Sequence, residues 1–210
     1  AILTRTIHRG QPTAGVADTF GLDRHLVLEG ADGSLSIDGA RVELPGLDAA
    51  RAEVAGRGLG PNDVFFINST SGTTGLPKCV MQTMNNRKYF GPLTVTAGRL
   101  GEEEVFASAV PAPYGFGQWT QHVVPAMYGY PVVITEEFDA DQTLRLVAEH
   151  RGTLLAAVTS QFIMMLNSPL MGEVDLSSLR VLFTGGEKVP YDRAAEFEDR
   201  TGCAVLQFYG

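Results

Sequence analysis

Hydrophobic and polar positions follow two different patterns along the chain. In residues 1–60, short apolar runs at Leu26–Glu29, Leu35–Ile37 and Arg41–Leu44 are separated by turns rich in Gly, Asp and Ser, and they predict short strands. A helix is predicted at Leu47–Ala55. The pattern therefore indicates a short, irregular, β-rich front section with one helix.

From Val64 onward, short apolar runs alternate with amphipathic stretches, which is typical of a parallel sheet. The predicted strands are Val64–Asn68, Val105–Val110, Pro131–Thr135, Leu154–Val158, Val181–Thr184 and Ala204–Phe208. The predicted helices lie within Met84–Leu100 and at Asp141–His150 and Tyr191–Arg200. For residues 61–210 we expect an α/β fold with a doubly wound, mainly parallel sheet and helices on both of its faces.

Composition narrows the class of protein. The chain of 210 residues is 44% hydrophobic and 19% charged, which is enough for a core and argues against extensive disorder. Its formal charge of −8 argues against a nucleic-acid partner, which needs clustered basic residues. No apolar run reaches the roughly 18 residues of a membrane span. Cys79 and Cys203 follow no disulfide or metal-ligand spacing, so we expect a cytoplasmic protein and name no metal ligand.

Residues 67–78, with the sequence INSTSGTTGLPK, carry the strongest chemical signal. Glycines let backbone N–H groups converge on phosphate oxygens, hydroxyls add donors, and Lys78 supplies a compensating charge. A Walker A loop would need Ser or Thr after its lysine, whereas Cys79 stands there. A plain polar surface loop is the remaining alternative, but it does not explain why these residue types concentrate between two apolar stretches.

This segment resembles the phosphate loop of the adenylate-forming (AMP-binding) superfamily, which includes acyl-CoA synthetases, aryl-CoA ligases, luciferases and adenylation domains. The resemblance implies part of the N-terminal domain of such a ligase, with ATP and Mg²⁺ bound at this loop. It implies Lys78 and Thr73 as the catalytic residues. The residues that it implies for ATP binding are Thr70, Ser71, Gly72, Thr73, Thr74, Gly75 and Lys78.

Two later segments are similar to nucleotide-binding motifs of the same family. Residues 184–190 resemble its Gly-Gly turn beside the adenine and the acyl group, and residues 206–210 resemble the strand that leads into its Tyr-Gly-x-Thr-Glu motif. The ATP-binding residues implied here are Gly185, Gly186, Glu187, Tyr209 and Gly210. An ordinary Gly-Gly turn and a tyrosine that only finishes an edge strand are the structural alternatives.

The segment Val110–Gly117, with the sequence VPAPYGFG, falls where the family carries a Pro-rich stretch that ends in a histidine before a helix. Here Tyr114 stands at the usual histidine position. The residues implied in acid binding are Tyr114, Phe116, Gly117, Trp119 and Ser160. Their aromatic rings favour a carboxylic acid with an apolar tail, whether aromatic, alicyclic or fatty. The alternative is that these rings only pack in the core.

The implied chemistry has two steps. A carboxylate attacks the α-phosphate of ATP to give acyl-adenylate and pyrophosphate, and the thiol of coenzyme A then displaces AMP. We therefore expect an acid–thiol ligase of the acyl-CoA or aryl-CoA type, with fatty acid metabolism as one setting. Several parts of the family pattern do not occur in these residues, so we expect the chain alone to be inactive. A non-catalytic nucleotide-binding or interaction module and a ligase that loads a carrier protein stay open as alternatives.

Overall fold

The computed structural model describes residues 2–5, 7–8, 11–19, 21–23, 25–29, 34–43, 46–56, 58–70, 75–135 and 137–209. The chain divides into two compact units, Ala1–Gly58 and Leu59–Gly210. The predicted site residues outside the described ranges are Ser71, Gly72, Thr73, Thr74 and Gly210.

The first unit is built around a four-stranded sheet. Its elements in chain order are β1 (Ile2–Arg5), β2 (Ile7–His8), β3 (Gln11–Pro12), α1 (Val16–Thr19), β4 (His25–Glu29), β5 (Ser34–Ile37), β6 (Ala40–Val42) and α2 (Leu47–Ala55). The sheet order is β1-β4-β5-β6, with β1 parallel to β4 and the other pairs antiparallel. Strands β4, β5 and β6 and helix α2 confirm the elements predicted for the front section, although the predicted end of β6, Leu44, lies outside the described residues.

The second unit holds the alternating elements. In chain order they are β7 (Val64–Ser69), β8 (Cys79–Thr83), α3 (Met84–Gly98), β9 (Phe106–Ser108), α4 (Gly115–Gln118), α5 (Val124–Tyr128), β10 (Val132–Ile134), α6 (Ala140–Glu149), β11 (Leu154–Ala156), α7 (Thr159–Leu166), β12 (Val181–Gly185), α8 (Tyr191–Thr201) and β13 (Ala204–Phe208). A π-helical turn, Trp119–Val123, joins α4 to α5, and a 3-10 turn follows α7 at Pro169–Gly172. Among the described residues, no helix is long and apolar enough to cross a membrane.

Strands β9 to β13 form a parallel sheet in the order β10-β9-β11-β12-β13. Alternate residues of each strand face two separate clusters of buried side chains. One cluster contains Leu155 and Leu182 together with core residues of α6, α7 and α8, and the other contains Leu154 and Phe183 together with Val124 of α5. Helices therefore cover both faces, which confirms the doubly wound α/β fold. The chain runs from β9 to β10 on one side and from β11 to β12 on the other, so a topological switch point lies between β9 and β11.

Strand β7 departs from the prediction. It does not join the parallel sheet but pairs antiparallel with β8, a strand that the sequence pattern did not predict. The pairing begins at Val64 opposite Thr83 and ends at Ser69 opposite Cys79. The apolar residues after the predicted phosphate loop are therefore the return strand of a hairpin.

The three acidic residues Glu102–Glu104 predict a solvated turn, and for Glu104 this prediction is wrong. Its side chain is buried, and its carboxylate accepts hydrogen bonds from the backbone N–H of Gly101 at 2.8 Å, from the Thr153 hydroxyl and from Arg180. These contacts join the segments that precede β9, β11 and β12. The buried charge is tolerated because it is paired and hydrogen-bonded on all sides.

Candidate functional site

The β7–β8 hairpin holds together the two ends of the phosphate-loop segment. The backbone N–H of Thr70 donates to the carbonyl oxygen of Lys78 at 3.0 Å, and the N–H of Lys78 donates to the Thr70 hydroxyl oxygen at 3.1 Å. The side chain of Lys78 is exposed. Gly75 has a φ of 149°, a conformation that glycine adopts without strain. The hairpin thus pairs a residue that carries a hydroxyl with one that carries an exposed ammonium group, and both groups can donate to phosphate oxygens.

The carboxyl ends of the parallel strands bring two predicted site residues together. The backbone N–H of Ser160, in the first turn of α7, donates to Glu187 Oε2 at 2.9 Å, and its hydroxyl donates to Glu187 Oε1 at 3.4 Å. This carboxylate therefore complements the positive end of the α7 dipole and links the turn after β12 to the start of α7. Both polar groups of Ser160 are already engaged in this contact.

The backbone conformation requires glycine at both positions of the Gly-Gly turn. A Cβ added to Gly185 would lie 2.6 Å from the carbonyl oxygen of Phe208, and Gly186 has a φ of 78°. The ring of Phe208 contacts Phe116 edge to face, with 4.7 Å between the ring centroids. Gly185, Phe208 and Phe116 thus form a continuous apolar surface beside the last strand. The side chain of Tyr209, directly after this strand, is fully exposed.

The predicted acid-binding residues divide between two locations. Tyr114 precedes α4 with an exposed side chain, and Phe116 lies against Phe208. Trp119 instead turns toward α3, where its indole N–H donates to the Thr94 hydroxyl at 2.8 Å. Gly117 is buried, and a Cβ there would lie 2.1 Å from the carbonyl oxygen of Pro111. Trp119 thus contacts α3 and Phe116 contacts Phe208, while both rings pack against the same buried cluster.

Two contacts near this edge were missed by sequence reasoning. The buried hydroxyls of Ser108 and Thr120 lie 3.0 Å apart, and Thr120 belongs to the π-helical turn, a feature that is frequent at functional sites. The side-chain amide of Gln161 donates to the carbonyl oxygen of Ala109 at 2.7 Å and ties α7 to the segment after β9. These residues have no motif of their own, and their partners lie far away in the sequence.

Three side-chain oxygens near the ends of β7, β11 and β12 are buried without a hydrogen-bond partner among the described residues. They are Asn68 Oδ1, Thr159 Oγ1 and Thr184 Oγ1. Such atoms are uncommon in folded proteins and occur where another polar group completes the site. The described residues contain no group of three or more His, Cys, Asp or Glu that could hold a metal ion.

A family model described as "AMP-binding enzyme" matches residues 13–210. The chain belongs to the AMP-binding enzyme family.

Several curated relatives are named as CoA ligases or CoA synthases. The chain is 32% identical over 170 residues to a feruloyl-CoA synthase from Amycolatopsis sp, a match that covers 81% of the chain and 34% of that enzyme. It is 35% identical over 148 residues to the medium-chain fatty-acid–CoA ligase of Escherichia coli, which covers 67% of the chain and 25% of that enzyme. The chain thus spans about a third or less of the length of these relatives.

Solved structures with the same fold include the following two. ATP-bound MatB from Rhodopseudomonas palustris matches 99% of the chain and 39% of its own length, with a TM-score of 0.75 and 27% identity. The N-terminal domain of FACL13 from Mycobacterium tuberculosis matches the whole chain and 50% of its own length, with a TM-score of 0.75 and 21% identity. At that lower identity the likeness concerns the fold alone.

Proposed function

We propose that this chain is the ATP-binding and acid-binding part of an acid–thiol ligase of the acyl-CoA or aryl-CoA type. The observation that carries the proposal is the position of the hairpin. Its Thr70–Lys78 end presents phosphate donors, and Asn68, two residues earlier, lies beside Gly115 at the start of the acid-binding segment, where an added Cβ would be 3.0 Å from the Asn68 amide nitrogen. This closeness supports the proposal, because attack of the acid carboxylate on the α-phosphate requires neighbouring phosphate and acid sites.

In the proposed first step, the acid carboxylate attacks the α-phosphate and pyrophosphate leaves. Lys78 and the hydroxyl of Thr70 donate to phosphate oxygens as negative charge accumulates on the leaving group, and Thr73 is proposed to act with them. Mg²⁺ bound to ATP would neutralise part of the charge on its phosphates. Ser71, Gly72, Thr74 and Gly75 are proposed to complete the phosphate loop.

The remaining proposed contacts involve the adenine and the acid. The exposed ring of Tyr209 and the Gly185–Gly186 turn offer flat surfaces for adenine, with Gly210 and Glu187 beside them. Phe116 and Phe208 provide an apolar surface for the tail of the acid, which we propose to be aromatic, alicyclic or fatty. We propose coenzyme A as the thiol acceptor because the relatives are named CoA ligases, and the cytoplasm as the location because both cysteines are free thiols.

Acid-dependent exchange of pyrophosphate into ATP tests this function, measured in the longest natural reading frame that contains these residues. Lys78→Ala removes one charge-assisted contact of about 1.5–3 kcal/mol, which predicts a loss of about tenfold to a hundredfold in exchange. Lys88→Ala is the matched control, since Lys88 is also an exposed lysine but lies on α3. Exchange that is equally fast in both variants would overturn the assignment of the phosphate loop.

A further inference from the structure

Arg87, in the first turn of α3, is an unusual buried cation. Its side chain is only 7% exposed, and no carboxylate of the described residues pairs with it. One hydrogen bond leads from its Nη2 to the side-chain oxygen of Gln118, and its Nε has no partner within the described part of the chain. Burial lowers the pKa of this guanidinium from its ordinary value. A buried charge without a counter-ion is costly, so its surroundings must stabilise it in another way.

Three aromatic rings provide that stabilisation. The guanidinium carbon lies 5.6 Å from the ring centroid of Phe65, 5.5 Å from that of Phe66 and 5.4 Å from that of Trp119. These distances fall within the range of cation–π attraction, which is stronger when the cation is desolvated. Arg87 therefore contacts two structural elements at once, strand β7 through Phe65 and Phe66 and the helical segment after β9 through Trp119.

An irregularity in β7 makes this arrangement possible. Neighbouring side chains on a regular strand point to opposite faces, yet Phe65 and Phe66 both lie near the same guanidinium. The register of the hairpin shifts between Val64 and Phe66, where two residues of β7 oppose one residue of β8. Such a bulge changes the direction in which a side chain points, and here it places both rings next to Arg87.

The elements joined by Arg87 are those that carry the two halves of the proposed site. Strand β7 (Val64–Ser69) contains Phe65 and Phe66 and leads directly into Thr70, one end of the phosphate loop. Gln118 and Trp119 follow Phe116 on the helical segment of the acid site. We propose that Arg87 is a positioning residue that holds the phosphate-loop strand in register with the acid-binding helix. This inference rests on the proposed function, since it assigns the two joined elements to ATP and to the acid.

Trp119 offers a direct test because it is the only tryptophan of the chain. Removing the guanidinium from one side of its ring should expose the ring to solvent. We expect Arg87→Met to increase acrylamide quenching of the ligand-free fluorescence by about twofold or more. Lys88→Met is the matched control, since it removes one positive charge from the next residue of the same helix, and it should leave quenching unchanged. Arg87→Lys keeps the positive charge but loses the planar guanidinium group. It should therefore restore the wild-type quenching only in part.

A second measurement separates positioning from a merely structural role. ATP with Mg²⁺ is titrated against Trp119 fluorescence, and ATP binding is measured independently by equilibrium dialysis. In the wild-type chain, ATP at the loop should change the emission of Trp119 through β7 and Arg87. In Arg87→Met, ATP should bind within about threefold of the wild-type affinity while most of this emission change is lost. If Arg87→Met does not fold, as judged by circular dichroism, Gln118→Leu removes the hydrogen bond to the helix and should reduce the same response.

The possible outcomes are distinct. If the Arg87 variants behave like Lys88→Met in both quenching and ATP response, the inference is wrong. If ATP does not bind to the wild-type chain at any concentration, the proposed phosphate site fails, and the ligand-free quenching comparison still decides whether Arg87 holds Trp119. If ATP binding is lost in Arg87→Met but retained in Lys88→Met, Arg87 acts on the nucleotide site itself, which also contradicts the inference.

Discussion

At Gly117 the backbone leaves no space for a side chain. A methyl group there would lie 2.1 Å from the carbonyl oxygen of Pro111, and both partners belong to the segment that carries the proposed acid site. We expect Gly117→Ala to lower the free energy of unfolding by about 2 kcal/mol or more, because neither backbone can move freely. Thermal unfolding of this variant is compared with Gly172→Ala, where a Cβ meets nothing within 4 Å. Equal melting temperatures of the two variants would show that the start of α4 accommodates a methyl group despite its close contact with Pro111.

The two cysteines should differ sharply in reactivity. Burial raises the pKa of the Cys203 thiol to about 11, whereas Cys79 is exposed. At pH 8 about one Cys203 in a thousand is a thiolate, so a disulfide reagent should modify one thiol in the native chain and two after unfolding. Cys79→Ala should abolish the native reaction. Because folding raises the pKa of Cys203, its contribution to stability is complete below pH 9 and is lost as the pH rises toward 11. Rapid modification of native Cys79→Ala at pH 8 would contradict this burial.

Tyr114 is expected to act on the choice of acid. Its exposed side chain stands before α4, while the nucleotide donors Thr70 and Lys78 lie at the end of the hairpin. In the full ligase, Tyr114→His and Tyr114→Ala should therefore change the ranking of acids in a panel of aromatic and fatty carboxylates. The KM for ATP should change by less than about threefold. A fixed acid ranking with an altered ATP dependence would place Tyr114 at the nucleotide instead.

Among the elements of the sheet, the buried carboxylate of Glu104 joins three strand starts through Gly101, Thr153 and Arg180. Arg180→Met leaves this carboxylate without its cation, and we expect it to cost about 1–3 kcal/mol of stability, because Arg180 is partly exposed. The double variant Glu104→Met with Arg180→Met should recover part of this loss. Arg151→Met is the control, because its contact with Asp175 is exposed on both sides. The free energy of unfolding is measured with denaturant. If Arg180→Met and Arg151→Met lower it equally, the buried pair does not have the proposed role.

Complete burial made several strands of the parallel sheet easy to predict from the sequence. Strands β9, β11 and β12 are buried along their whole length, so continuous apolar runs marked them clearly. Strand β8 was missed because its residues are mostly exposed and do not alternate between apolar and polar. Glu104 was misjudged because its partner Arg180 lies 76 residues away, beyond the reach of any local pattern.

In the candidate site, too, local sequence patterns were readable, whereas contacts between distant parts of the chain were not. The phosphate loop is a continuous segment, so its chemistry was visible in twelve consecutive residues, 67–78. Gln161 contacts Ala109 across 52 positions and Arg87 contacts Gln118 across 31, so only the folded chain brings them together. The role of Trp119 in acid binding stays a prediction, whereas the hydrogen bond from its indole N–H to Thr94 on α3 could not be predicted from a local pattern.

On the scale of the whole molecule, the parallel sheet gathers the proposed contacts at one edge. The carboxyl ends of β9, β11, β12 and β13 lead into the acid segment, Ser160, the Gly-Gly turn and Tyr209 respectively. In open α/β sheets ligands bind at this edge near the switch point, which here lies between β9 and β11. The fold thus supplies the platform for the proposed site, while the chain spans 34% of the length of the feruloyl-CoA synthase that it resembles.

The last prediction concerns the 210 residues produced by themselves, which we expect to bind ATP weakly and to form no detectable acyl-adenylate. Thr70 and Lys78 can still hold phosphates, but most of the length of the relatives has no counterpart in these residues. If two charge-assisted contacts of about 1.5–3 kcal/mol each are missing, the affinity falls by about a hundredfold or more. Orientation of the acid and exclusion of water should suffer as well, so catalysis should fall further than binding.

Calorimetry with ATP and Mg²⁺, followed by mass spectrometry for an adenylate over a panel of carboxylic acids, measures both parts of this prediction. Lys78→Ala serves as the control for binding. If the heat of ATP binding persists in this variant, it does not come from the phosphate loop. Micromolar binding by the wild-type chain together with steady adenylate formation would show that these residues form a self-sufficient catalyst. In that case the contacts at Thr70, Lys78 and the strand ends would have to account for the whole of the first reaction step.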